Sequence, residues 1–225
     1  MKILIIATSH SELGTTGHKT GLWLEELAAP YYTFVDNGIA ITLASPKGGA
    51  IPMDPKSDDP DSQTEATIRF KADSAAVAVL QNSVPLSQIH PEEYDAVFVP
   101  GGHGPMWDIA DNPEVNTILE YFTSNNKPIG SVCHGVAALV GVKDAKGQPL
   151  VAGKKITSFT NTEEELVQLT KIVPFLLETR LKTLGAEYSK KGDFAPYTVI
   201  DGKLVTGQNP ASSVGTAEAI LQLLK

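Results

Sequence analysis

Between Lys2 and Thr8 the chain is an unbroken aliphatic run, Ile3-Leu4-Ile5-Ile6-Ala7, with neither a helical nor an alternating period. A strand buried on both faces of a parallel sheet reads this way, because each pleat surface meets a hydrophobic layer. A polar, glycine-containing loop, His10–Thr20, follows. Leu22, Trp23, Leu24, Leu27, Ala28 and Tyr31 then recur at helical spacing up to Asn37-Gly38, a C-terminal stop signal, and Pro30 predicts a kink or break on the way. Ile39–Ser45 is apolar again, so this opening stretch predicts a β-α-β unit with a right-handed crossover.

Pro46–Phe70 interrupts the pattern. It is rich in Pro, Asp, Ser and Gly and too long for an ordinary connection, which predicts a functional or partner-facing loop with little regular structure. Regular patterning then resumes with a helix over Asp73–Gln81, a strand over Asp95–Val99, a helix over Val115–Phe122, a buried strand over Pro128–Val132 and a short helix over Val136–Val140. Further on, Lys154–Phe159 reads as a strand, and Glu163–Leu169 and Val173–Leu184 as helices, the second capped by Gly185. Tyr197–Thr206 reads as a hairpin around Asp201-Gly202, and Ser212–Leu224 as a closing amphipathic helix. Strands alternate with helices and no repeat or linker intervenes, so the expectation is one α/β domain over residues 1–225 with a mostly parallel sheet between helical layers.

Composition narrows the classes. Hydrophobic residues make up 42% and charged residues 20%, which excludes a disordered or fibrous chain. The net charge of -8 carries no local basic patch, so neither nucleic acid nor an anionic membrane surface is an expected partner. No apolar run is long enough to span a bilayer, and the opening residues turn polar too soon for a signal peptide, so a cytoplasmic location is expected. The single cysteine, Cys133, excludes an intrachain disulfide and a multi-cysteine zinc site.

Cys133 stands between a predicted strand end and a predicted helix start, where open α/β sheets gather ligands. A thiol there is expected to ionise below the usual value of about 8.5 and to act as a nucleophile. Adjacent residues on a tight turn usually point apart, so His134 need not take the thiol proton directly. Glu163, Glu164 and Glu165 follow the next predicted strand and are candidates to orient that imidazole, against the plainer reading of acids in a solvated first helical turn. The amides of the Pro100-Gly101-Gly102-His103-Gly104 turn and of the turn after Cys133 could together form an oxyanion hole, which makes Gly102, His103 and Gly135 candidate oxyanion or substrate-binding positions. Of Glu25 and Glu26, on a largely apolar helix, one carboxyl should face inward, where burial would raise its pKa and suit it to proton transfer. The other should face solvent.

Other patterns carry less. His90-Pro91-Glu92 has the His-x-Glu form found after the cysteine of glutamine amidotransferases, but here it precedes the cysteine and reads as a loop. The Gly147 to Lys154 stretch has the wrong spacing for a phosphate-binding loop, no GxGxxG follows the first strand, and the histidines are scattered without HExxH. Neither a nucleotide cofactor nor a dedicated metal site is expected.

Taken together, Pro100–Gly104 (PGGHG), Val132–Gly135 (VCHG), Ile156–Thr160 (ITSFT) and Leu204–Ser212 (LVTGQNPAS) resemble the ThiJ/PfpI superfamily of class I glutamine-amidotransferase-like proteins along nearly the whole chain. Thr20-Gly21 before Glu26 and Pro30, the long excursion after Pro46 and the overall length resemble its branch of glutathione-independent glyoxalases, which also act as holding chaperones. The resemblance implies a flavodoxin-like three-layer sandwich with a mostly parallel central sheet, usually dimeric. It also implies Cys133 as the nucleophile, His134 beside it, Glu164 as the acidic third member and Glu26 as the acid touching the thiol. Val136 stands where many relatives have proline.

The reaction so implied is a glyoxalase III-type lyase reaction. Methylglyoxal or a related 2-oxoaldehyde would add to Cys133, rearrange and leave as D-lactate or another hydroxy acid, with no cofactor. A cysteine peptidase or amidase, and a stress-related chaperone or oxidation sensor acting through Cys133, are the rival expectations.

Overall fold

A computed structural model describes residues 1–225 of the chain. The seven-stranded central sheet has the order β3-β2-β1-β4-β5-β9-β8, built from β1 (Lys2–Ile6), β2 (Ala40–Ser45), β3 (Val84–Pro85), β4 (Ala96–Val99), β5 (Ile129–Val132), β8 (Thr198–Asp201) and β9 (Leu204–Gly207). All neighbours are parallel except β8 and β9, the expected hairpin, whose register pairs Asp201 with Leu204. Gly202 takes φ 60 at its tip, a left-handed conformation that suits glycine.

Burial on both faces explains the unpunctuated aliphatic run of β1. Leu4 and Ile6 join a cluster of 27 buried residues on one face, while Ile3 and Ile5 join a cluster of 24 on the other. The first cluster is covered by α5 (Pro113–Ser124) and α7 (Leu177–Thr183), the second by α1 (Leu24–Val35) and α8 (Ser213–Leu224). This is the three-layer α/β sandwich expected. No helix is long and apolar enough to cross a membrane.

Several local expectations are corrected. Helix α1 runs through Pro30 without a break. The Pro46–Phe70 excursion is ordered, with 3-10 turns at Pro55–Asp58 and Pro60–Ser62 and then α2 (Glu65–Ala72), started by a reciprocal Thr64–Thr67 capping box; the expected helix follows as α3 (Ser74–Gln81), capped by Asp73. Prolines and aspartates that read as loop punctuation are here turn and cap residues. The apolar stretch after Cys133 is a 3-10 segment, Cys133–Leu139, not an α-helix, and the helix expected from Val173 starts only at Leu177. Of the predicted strand Lys154–Phe159 only β6 (Lys155–Ile156) pairs, and it pairs with β7 (Glu187–Tyr188) in a separate two-stranded sheet. The chain leaves the main sheet there to cross over Cys133, whose carbonyl accepts from Phe159 N at 3.4 Å.

The sheet order reverses at β1: the chain moves outward to β2 and β3, then restarts on the other side with β4 and β5. Clefts form at the carboxyl ends of strands beside such a reversal. The turns after β4 and β5 carry PGGHG and CHG.

Candidate active site

Cys133 follows β5 directly and takes φ 58, a strained left-handed backbone for a residue with a side chain. That twist brings two adjacent side chains together, contrary to the sequence expectation, and His134 Nδ1 lies 3.5 Å from Cys133 Sγ. The elbow fits only because glycines surround it. A Cβ on Gly135 would lie 2.3 Å from the Val99 carbonyl oxygen, and one on Gly101 would lie 2.8 Å from the amide nitrogens of both His134 and Gly135. The backbone nitrogens of His134 and Gly135 therefore pack directly against Gly101. Gly102, the expected position, instead packs against Gly21 and Trp23, where a Cβ would lie 2.3 Å from the Gly21 carbonyl oxygen.

On one side of the thiol, α1 contributes Glu26, which is fully buried, while Glu25 is half-buried and accepts from Thr64 Oγ1. Gly101 N–H donates to Glu26 Oε2 at 2.7 Å, and Oε1 has no hydrogen-bond partner. Burial pushes the Glu26 carboxyl up to about 8, against the smaller opposing effects of Cys133 and the Gly101 amide. At neutral pH this side chain carries a proton. Oε2 is occupied as an acceptor from Gly101, and Cys133 is the side chain whose interaction most opposes the rise.

On the other side, α6 (Asn161–Leu166) opens with a Thr160–Glu163 capping box, which places Glu164 next in the buried first turn. Glu164 Oε2 accepts from His134 Nε2 at 2.6 Å, and Oε1 accepts from His103 Nε2 at 2.7 Å. Burial alone would raise this carboxyl, but the two imidazoles outweigh it and hold Glu164 well below the usual carboxylate range. Burial, then neighbouring His103, lower the His134 pKa, so its ring is neutral at rest. With Nε2–H given to Glu164, the lone pair of Nδ1 faces Sγ.

The thiol itself departs from expectation. Cys133 is 3% exposed, and burial pushes its pKa well up, with the neighbouring Glu26 carboxyl adding to the rise. A 3-10 turn in place of an α-helix start leaves little dipole to oppose that, though the His134 amide does point at the sulfur. The nucleophile therefore rests as a thiol between a proton donor and a proton acceptor.

The three residues His103, His134 and Glu164 also place their ligating atoms within 4.8 Å of one another. Their separation in the sequence hid this grouping from motif reading. Two imidazoles and a carboxylate could hold a divalent cation, but only by giving up both short hydrogen bonds.

His103 faces a cavity of about 560 Å³ walled by Trp23, by Asp54, Pro55 and Lys56 of the excursion, and by Val167 and Ile172. The excursion is pinned there by hydrogen bonds between Leu22 and Pro52 (2.8 Å), Asp54 and Leu22 (2.9 Å), and Thr20 and Asp54 (2.7 Å). It thus builds a wall beside the site. A larger groove of about 830 Å³, between α1, α2 and α8, touches none of Cys133, His134, Glu26 and Glu164.

This elbow, with a protonated acid on one side and a carboxylate-bound histidine on the other, coincides with a match to the DJ-1/PfpI family model over residues 20–223. The chain is a DJ-1/PfpI protein. Among solved structures it is similar to the Rapid Encystment Protein of 24 kDa from Francisella tularensis, at TM-score 0.95 and 41% identity, covering 100% of this chain and 99% of that one. It is also similar to glyoxalase III from Candida albicans, at TM-score 0.93 and 31% identity over 100% and 98% of the two chains. The glutathione-independent glyoxalase HSP31 of Saccharomyces cerevisiae is 30% identical, over 100% of this chain and 98% of that protein.

Proposed function

We propose that this DJ-1/PfpI chain is a glutathione-independent glyoxalase that converts methylglyoxal and related 2-oxoaldehydes to 2-hydroxy acids, D-lactate in the case of methylglyoxal. The reading rests chiefly on one observation: Sγ of Cys133 lies 3.5 Å from Nδ1 of His134 and beside the fully buried Glu26, whose carboxyl burial pushes up to about 8. The names of the Candida and Saccharomyces relatives support it.

In this mechanism the Cys133 sulfur bonds to the aldehyde carbon as its proton passes to His134 Nδ1, and Glu164 stabilises the resulting imidazolium. Glu26 protonates the developing oxyanion, which the His134 amide beside the sulfur also stabilises, giving a hemithioacetal. Now a carboxylate, Glu26 takes the remaining hydrogen of that carbon as a proton. His134 protonates the neighbouring oxygen to form an enediol. Glu26 returns its proton to the second carbon while His134 removes one from the first oxygen, leaving a hydroxyacyl thioester. Water cleaves the thioester to release the hydroxy acid and the thiol. The second carbon is reduced as the first is oxidised, so no external electron carrier enters. His103 holds the outer oxygen of Glu164 and so positions His134. A thiol only 3% exposed suits a small aldehyde and not an extended peptide, which disfavours a peptidase. A cytoplasmic homodimer belongs to the same proposal, on the sequence resemblance.

The test is conversion of methylglyoxal by the purified protein without glutathione, following substrate loss and D-lactate together. Turnover that disappears in Cys133→Ala and Glu26→Gln supports the reading. Absence of lactate at any practical protein concentration overturns it.

A further inference from the structure

Helix α6 carries a second buried carboxylate that the reaction above does not use. Glu163 is fully buried and makes no ion pair, yet its carboxyl accepts four hydrogen bonds. Its Oε2 accepts from Thr160 N at 2.9 Å, and its Oε1 accepts from Phe194 N at 2.7 Å, Asn209 Nδ2 at 2.9 Å and Gln208 Nε2 at 3.1 Å. Gln208 and Asn209 are also fully buried, and both reach the same loop, between β7 and β8. Gln208 Oε1 accepts from Lys191 N at 2.9 Å, and Asn209 Nδ2 also donates to the Ala195 carbonyl at 2.8 Å. A charged group without a counter-ion is costly to bury unless it is fully hydrogen-bonded. Here the hydrogen bonds converge on one surface loop.

What the loop holds is unusual for a surface residue. Phe194 takes φ 57, a region that bulky side chains rarely adopt, and its ring is held 46% exposed. Strained backbone of this kind persists where the surroundings over-determine it, and it concentrates at functional sites. The Phe194 ring lies 6.2 Å from that of Phe159, which in turn lies 4.4 Å from the His134 ring and 6.0 Å from that of His103. The three tiers run from solvent to the imidazole beside the thiol.

We propose that Phe194 is a specificity-determining residue: with Phe159 it forms an aromatic wall that receives the substituent R of an R–CO–CHO substrate and favours an aryl group, with Glu163 as the positioning residue that holds the wall in place. The inference rests on the glyoxalase reading. An aryl ring gains offset or edge contacts with two phenylalanines, and a methyl group is too small to reach the outer one.

The experiment compares kcat/KM for phenylglyoxal and methylglyoxal in the wild-type protein, Phe194→Ala, Phe194→Tyr and Glu163→Gln. Phe194→Ala is expected to lower the phenylglyoxal-to-methylglyoxal ratio about tenfold, chiefly through the KM for phenylglyoxal, and Phe194→Tyr to restore it. Glu163→Gln should lower the same ratio, and combining it with Phe194→Ala should lower it no further than Phe194→Ala alone. A ratio that stays within twofold of wild type in Phe194→Ala overturns the proposal while leaving the glyoxalase reading intact. Turnover of neither aldehyde by the wild-type protein overturns both.

Discussion

On one side of Cys133, α1 brings Glu26 into an apolar helix layer where only the thiol and one backbone amide interact with its carboxyl; on the other, α6 brings Glu164 between two imidazoles. Both carboxyls are buried, and burial pushes both upward. The outcomes are opposite, because the thiol and one amide do not offset the loss of water around Glu26 while two imidazoles more than offset it around Glu164. Environment thus assigns an acid and an anion to identical side chains, one on each side of the thiol. A thiol whose own pKa is raised needs both: one group to supply a proton to the substrate oxygen, and one to stabilise the imidazolium that forms when sulfur gives its proton up.

The contrast can be broken from several directions. Removing what the two flanks serve, Cys133→Ala, should return methylglyoxal conversion to the uncatalysed background. Glu26→Gln leaves a neutral group that cannot shuttle a proton and should lower kcat by about 10²–10⁴-fold. In the wild-type protein kcat/KM should fall as pH rises through about 8, where Glu26 loses its proton. Glu164→Gln should cost kcat about 10²-fold with little change in KM, since it removes the charge that stabilises the imidazolium and turns one of the two acceptors of the imidazole N–H groups into a donor.

Stability offers a test independent of turnover. Glu26 has a folded pKa of about 8, above the ordinary glutamate value of 4.5, so its contribution is complete below about pH 4.5 and is lost as pH rises toward 8. Relative to Glu26→Gln, the wild-type protein should lose about tenfold in its folding equilibrium constant per pH unit across that window, read by denaturant unfolding. A flat difference would mean that Glu26 titrates like an exposed acid and that the two flanks do not differ. The smallest effect is expected for His103→Asn, about fivefold in kcat, the worth of one hydrogen bond to Glu164.

Much of this was legible in the chain. The β1 run, the hairpin at Asp201-Gly202, the Cys133 elbow and an inward-facing acid on α1 follow from short-range periodicity and turn chemistry. The misses have one physical source. Lys154–Phe159 has the composition of a strand but leaves the main sheet, because Phe159 and Glu164 must cross over Cys133, and nothing local records that destination. Pro46–Phe70 looked unstructured because its capping and turn residues are the same residue types that fill loops. Glu163, Glu164 and Glu165 are indistinguishable as letters; a capping box and a half-turn of helix send Glu163 to a loop and Glu164 to two histidines, and leave Glu165 exposed.

The sequence by itself determined the order of elements, the position of the nucleophile and the set of residue types near it, since these depend on neighbours a few positions apart. Only the tertiary structure decided the protonation states. Those depend on burial and on partners 30, 61 and 75 residues away: His134 and His103 for Glu164, and Gly101 for Glu26. Electrostatic energy follows distance in space and access to water, and a linear chain specifies neither until it has folded.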